Sequence, residues 1–98
     1  MKITAVTRDL MDRSKISAAF ADVVVVRSAD TALGDPDIVI VDLAIPGAVE
    51  AAVETGATVI GYGSHVDDDA LEAARTLGAD ALPRSVFFRR LSEGTLLE

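Results

Sequence analysis

The chain has no cysteine and no tryptophan, a single tyrosine and a single histidine. Without cysteine it can form no disulfide framework, no zinc ribbon and no thiol nucleophile. No apolar run approaches the length needed to span a bilayer. Met1-Lys2 leads straight into a strand-like stretch with no cleavage-site pattern, so the expected location is cytoplasmic. Basic residues are also scarce: nine Lys and Arg stand against sixteen Asp and Glu, a net charge of −7. Direct nucleic-acid binding needs a basic face and is therefore not expected, nor is a membrane partner.

Aliphatic residues, by contrast, are plentiful. Half the residues are hydrophobic, which excludes a disordered chain. Alanine and valine dominate, as in helices packed closely on a small sheet. Ninety-eight residues are enough for one domain, 1–98, that buries its own core.

Apolar runs alternate with helical patterns. Ile3–Val6 reads as a strand. Asp9 can cap a helix with Asp12 in its first turn, where a carboxylate complements the helix dipole, and Ile16, Ala19 and Phe20 supply its apolar positions. Residues 23–26, four consecutive valines, read as a second strand, and 38–41 as a third. Between them lies a polar connection with one turn expected around Thr31–Leu33. Pro46 can open a helix that continues through Ala48–Glu54 and stops at Gly56. Residues 58–62 form a fourth strand, 67–77 a helix with three aspartates in its first turn, Asp80–Pro83 a fifth strand, and 86–91 a last helix. The tail is expected to fray after Gly94, and Leu97-Glu98 could be a cloning remnant.

Strands alternating with helices predict a parallel sheet with right-handed crossovers. The expected fold is α/β, a three-layer doubly wound sheet of five strands in the flavodoxin-like order 2-1-3-4-5. Only eleven residues, 27–37, separate the second and third strand cores. A helical crossover usually needs about a dozen, so that helix should be vestigial or replaced by a loop. The third crossover is short as well.

The C-terminal strand ends are where such sheets carry their sites. They bear Thr7, Arg8 and Asp9, then Asp42, then Gly63 and Ser64, then Arg84 and Ser85. Asp42 ends an unbroken Val/Ile run and is followed by Pro46-Gly47. This stretch resembles the third strand and following loop of response-regulator receiver domains. Val59-Ile60 leading to Gly63-Ser64, and Gly78-Ala79-Asp80-Ala81 entering the fifth strand, match that family in order and spacing. The resemblance covers nearly the whole chain. It implies that Asp42 stands where the family accepts a phosphoryl group. The family's Mg²⁺ is held by the acceptor and by acids after strand one, and a hydroxyl and a lysine complete the cradle.

At most of these points the chain departs from the family. Thr7-Arg8 replaces the acidic pair, with only Asp9 beside it. Gly63 stands at the hydroxyl position, with Ser64 one place later. Arg84-Ser85 stands near the lysine. A guanidinium repels Mg²⁺ but can pair with a carboxylate, so Arg8, and Arg84 from the other side, are expected to hold Asp42. The expected function is a receiver-like signalling or interaction module with a degenerate acceptor site, no catalytic residue and no cofactor. If it were a working receiver instead, Asp9 and Asp42 would bind Mg²⁺. A third possibility is an anion or ligand binder using Arg8, Arg84 and the 61–64 loop.

A protein partner is expected on the face of the fourth and fifth strands and the last helix, near Tyr62, Arg84, Phe87 and Arg89, and the resemblance to receivers, which commonly pair through that face, implies a homodimer there. One ring of Phe87-Phe88 should fill the core. Asp67, Asp68 and Asp69 opposite Arg84, Arg89 and Arg90 give an uneven charge pattern, which solvated helix faces also produce. His65 beside the three aspartates is poor metal geometry, and Ser64, His65 and Asp42 lack the Gly-x-Ser-x-Gly elbow of a hydrolase.

Overall fold

The computed structural model describes residues 1–28, 30 and 32–97. Five strands, β1 (Ile3–Val6), β2 (Val24–Val26), β3 (Ile38–Asp42), β4 (Thr58–Gly63) and β5 (Asp80–Pro83), form one parallel sheet in the order β2-β1-β3-β4-β5. The helices are α1 (Leu10–Ala19), α2 (Ala48–Glu54), α3 (Asp68–Thr76) and α4 (Arg84–Glu93). This is the doubly wound α/β topology expected from the alternation.

Successive strand residues point to opposite faces, and the sequence fills both. Ile3, Ala5, Ile38, Ile40, Ile60 and Tyr62 face α1 and α4, which contribute Ile16, Phe87 and Leu91. Val6, Val39, Val41, Val59 and Ala81 face α2 and α3, which contribute Ala48, Ala52, Leu71 and Ala74. Tyr62 stacks on Phe87 with ring centroids 4.5 Å apart, a contact worth about 0.5–1.5 kcal/mol beyond its buried area.

Among the described residues, no helix links β2 to β3. The turn expected around Thr31–Leu33 falls partly outside the described residues, as does Glu98. Several boundaries differ from expectation. Val23 lies outside β2 because its N–H bonds to Phe20 O in the preceding turn. Pro46 does not open α2. Gly47 caps that helix at φ 75°, a left-handed conformation that glycine adopts without strain. β4 runs on through Gly63, paired with Pro83, and α4 starts directly at Arg84, two residues early. Asp67 and Leu77 are the caps of α3 rather than helical residues, with the Asp67 side chain accepting from Ala70 N–H. The tail does not fray at once after Gly94, because Thr95 N–H bonds to Arg90 O and Leu96 is buried in the core.

Candidate functional site

The C-terminal ends of β1, β3, β4 and β5 meet as expected, but the ion pair that forms there is a different one. Asp12, in the first turn of α1, is 1% exposed. Arg84, at the start of α4, donates to both of its oxygens, Nη2 to Oδ1 at 2.6 Å and Nη1 to Oδ2 at 2.9 Å. The Tyr62 hydroxyl hydrogen-bonds to Asp12 Oδ2 and Thr7 Oγ1, each at 3.1 Å. The Arg84 guanidinium also lies 5.4 Å from the Tyr62 ring centre and 5.0 Å from that of Phe88, within cation–π range. Every buried side-chain polar atom among the described residues has a partner. The Asp12 bonds push the Arg84 pKa up, and burial pushes the Tyr62 hydroxyl up.

Asp42 sits apart from this network. Its Oδ1 accepts Ala44 N–H at 3.0 Å. Burial raises its pKa, outweighing the bond from Ala44. It lines a small cleft of about 200 Å³ with Gly63, Ser64, Asp67 and Arg84. Arg84 thus faces the cleft while its hydrogen bonds go to Asp12.

The expected contact between Arg8 and Asp42 does not form. Arg8 is exposed, and its Nε donates to Arg27 O at 2.8 Å, tying the end of β1 to the end of β2. Asp9 is the exposed cap of α1 and accepts from Met11 N–H and Asp12 N–H at 2.8 and 3.0 Å. The bond from Asp12 N–H leads the effects that hold its pKa down. Gly61 and Gly63 are strand residues rather than an anion-cradling loop. Leu43 lies over both: a Cβ at Gly61 would meet Leu43 Cδ2 at 2.7 Å, whereas one at Gly63 would make only an ordinary contact with Leu43 Cδ1 at 3.4 Å. Ser64 is exposed, with its Oγ accepting Val66 N–H at 3.4 Å, and Ser85 is exposed in the first turn of α4.

Tyr62 and Phe87 are each 0% exposed and cannot form a partner surface. Both are needed to fill the layer between the sheet and α4. Phe88 is half-buried, and Arg89 is the exposed member of the expected patch.

Asp12 is the residue that sequence reading missed. It precedes Ile16 by one helical turn, so it shares the face that Ile16 buries. A carboxylate on the apolar face of a helix requires a partner, and that was the available signal.

The buried Asp12 is neutralised by a guanidinium, and Asp9 Oδ1 accepts both capping N–H groups of α1. Among the described residues, no three His, Cys, Asp or Glu side chains cluster so as to hold a metal.

No protein-family model matches the sequence, and no curated protein matches it either. Solved structures do match. A response regulator from Hahella chejuensis superposes with a TM-score of 0.76 at 18% identity, covering 96% of this chain and 91% of that one. NtrX from Brucella abortus, solved with ADP, gives 0.74 at 20% identity over 97% of this chain. This chain spans only 26% of the length of NtrX. The BeF3-activated DrrB receiver domain gives 0.70 at 18% identity, with 94% of each chain covered. The fold is that of a response-regulator receiver domain, and the chain is receiver-like in architecture.

Proposed function

We propose that this domain is a receiver-like protein-interaction module in which Asp42 does not accept a phosphoryl group. The observation that carries this reading is the bidentate Asp12–Arg84 pair. Phosphoryl transfer to a carboxylate requires positive charge placed on the transferring oxygens. Here the cation across the cleft from Asp42 is committed to a buried carboxylate, and the other edge acids are helix caps, Asp9 on α1 and Asp67 on α3. The hydroxyl position is filled by Gly63, beneath Leu43. The domain therefore presents a fixed surface rather than a phosphorylation switch, and it catalyses no reaction. On this reading the partner is a protein and the setting cytoplasmic signalling. Among the described residues, no helix is long and apolar enough to cross a membrane.

The test is intact-protein mass after incubation with an acyl phosphate donor and Mg²⁺. The expected result is no mass gain. A gain of one phosphoryl group that disappears in Asp42→Asn would establish a working receiver and overturn the proposal.

A further inference from the structure

The two edges of the sheet are finished differently. An edge strand presents unpaired backbone groups, and proteins blunt it with charge, proline or a covering group. β5 has all of these: it carries Asp80 and Pro83, and Arg75 Nη2 donates to Ala81 O at 2.9 Å. β2 has none. Residues 23–26 are four valines, and Val24 is 59% exposed. On the α2/α3 side of the sheet, Thr4 is buried and its Oγ1 donates to Leu33 O at 3.2 Å, so the 32–36 segment covers β1. It leaves Val24 bare beside an open cleft of about 530 Å³ that Thr4, Asp22 and Leu33 also line.

The backbone of this edge is matched to one kind of partner. In a parallel ladder each residue turns its N–H and C=O to one side, and successive residues alternate. Thr7 N–H bonds to Val26 O, so Val26, and with it Val24, faces β1. Val23, Val25 and Arg27 therefore turn outward. Val23 N–H is already used by Phe20 O, and Arg27 O already accepts Arg8 Nε. What remains is the N–H and C=O of Val25, the C=O of Val23 and the N–H of Arg27. A second β2, run antiparallel about a two-fold axis at Val25, satisfies all of them. Val25 exchanges a reciprocal pair of hydrogen bonds with its own copy, and each Arg27 N–H meets the other chain's Val23 C=O. The groups that this ladder leaves out, Val23 N–H and Arg27 O, are those already bonded within the chain. Val24 comes opposite the partner's Val26 on the open side of the sheet. Charge agrees: Asp22 precedes the valines and Arg27 follows them, with Arg8 tied to it, so antiparallel pairing brings opposite charges together.

We propose that β2 is a homodimerisation edge, at which two copies of this chain pair antiparallel and join their sheets into one. Such a pair closes on itself, and the blunted β5 edge opposes further growth, so assembly stops at the dimer. The paired strand is short, so the dimer is weak and forms at high protein concentration. The inference goes beyond the interaction role proposed above. It uses no residue of the Asp42 cleft, so a phosphorylated Asp42 would leave it standing.

The test is sedimentation and ¹⁵N amide spectra of the full chain between about 10 μM and about 1 mM, with no phosphodonor. The expected result is a monomer–dimer equilibrium with concentration-dependent shifts at residues 22–27 and slowed exchange of Val25 N–H in the dimer. Val24→Lys changes an exposed side chain and should weaken the dimer at least about tenfold, as a charge on an edge strand does. Arg27→Asp should weaken it about tenfold, and adding Asp22→Arg should restore it, because the charges are then exchanged rather than lost. Introduced cysteines read the register in a chain that has none. On oxidation Val25→Cys should form a linked dimer faster than Val24→Cys, although Val24 is the more exposed, because only Val25 stands opposite its own copy. A chain that stays monomeric throughout overturns the proposal, as does a dimer with its shifts in β5 and α4, or one indifferent to Val24→Lys and Arg27→Asp. Faster crosslinking of Val24→Cys, or assembly beyond the dimer, also overturns it. So does an extended valine–threonine peptide that adds to β2 while the chain alone stays monomeric, which would assign the edge to a strand of another protein.

Discussion

Without Arg84, the Asp12 carboxylate is left with a side chain 2% exposed and only the Tyr62 hydroxyl as a side-chain partner. Breaking a fully buried pair costs about 3–5 kcal/mol. Arg84 is 43% exposed, so water screens part of the interaction and Arg84→Met should cost about 2–3 kcal/mol in urea unfolding. Asp12→Asn should cost less, since it removes the charge and keeps an acceptor for Tyr62. The double variant should cost less than the sum of the two. Asp42 gives the opposite sign. Burial raises its pKa, so the folded state holds the proton more tightly than the unfolded state does. The stability this contributes is present at low pH and is lost as pH rises through the folded-state titration. Asp42→Asn, which can still accept from Ala44, should therefore melt higher than the parent at pH 7, with the gain shrinking as the pH falls below the carboxylate range. A melting curve that gains nothing at pH 7 would show that Asp42 carries no desolvation penalty. The sequence made Arg84 legible as a site cation but not its partner. Asp9 and Asp12 both read as acids at the start of a helix, and what separates them is that Asp12 stands one turn before Ile16, on the face that α1 buries.

At the scale of elements, the strand order could be read because Val/Ile runs alternate with capped helical patterns, and a parallel sheet has few ways to connect them. That the β2–β3 connection would hold at most a vestigial helix or a loop was legible from its length, and among the described residues no helix lies there. The boundaries were less so, because tertiary contacts set them. Gly61 and Gly63 look like a loop in the sequence. Their place in β4 comes from backbone pairing: Gly61 stands between Val41 of β3 and Ala81 of β5, and Gly63 opposite Pro83. Gly61→Ala puts a methyl 2.7 Å from Leu43 Cδ2. That atom is the far end of a flexible side chain, so the cost is at the low end of the overpacking range, about 1 kcal/mol. Combining it with Leu43→Ala should remove the clash, so the double variant is expected to be more stable than the two single losses predict when added. Strict additivity in chemical denaturation would mean that Leu43 does not determine the glycine.

For the whole molecule, stability should be graded across the sheet. β3 and β4 each have strand partners on both sides and helices over both faces. β2 has three residues and only β1 as a neighbour, and Val24 is 59% exposed. Among the described residues, no helix crosses from it to β3. Local opening of β2 therefore sacrifices little buried apolar surface, whereas separating β3 from β4 requires the whole core to open. Native-state hydrogen exchange should show β2 amides opening well below the global unfolding free energy, with little dependence on denaturant. The amides of Val39, Ile40, Val59 and Ile60 should exchange only at the global limit. The far end of β2 is fastened by Thr7 N–H to Val26 O at 3.0 Å and by Arg8 Nε to Arg27 O at 2.8 Å. Opening should therefore begin at Val24. Arg8→Ala should lower protection across β2 and leave β3 and β4 unchanged, because in this fold Arg8 secures an edge strand rather than Asp42. If Arg8→Ala instead altered exchange around residues 42–44, its role would have to be reassigned to the acceptor loop.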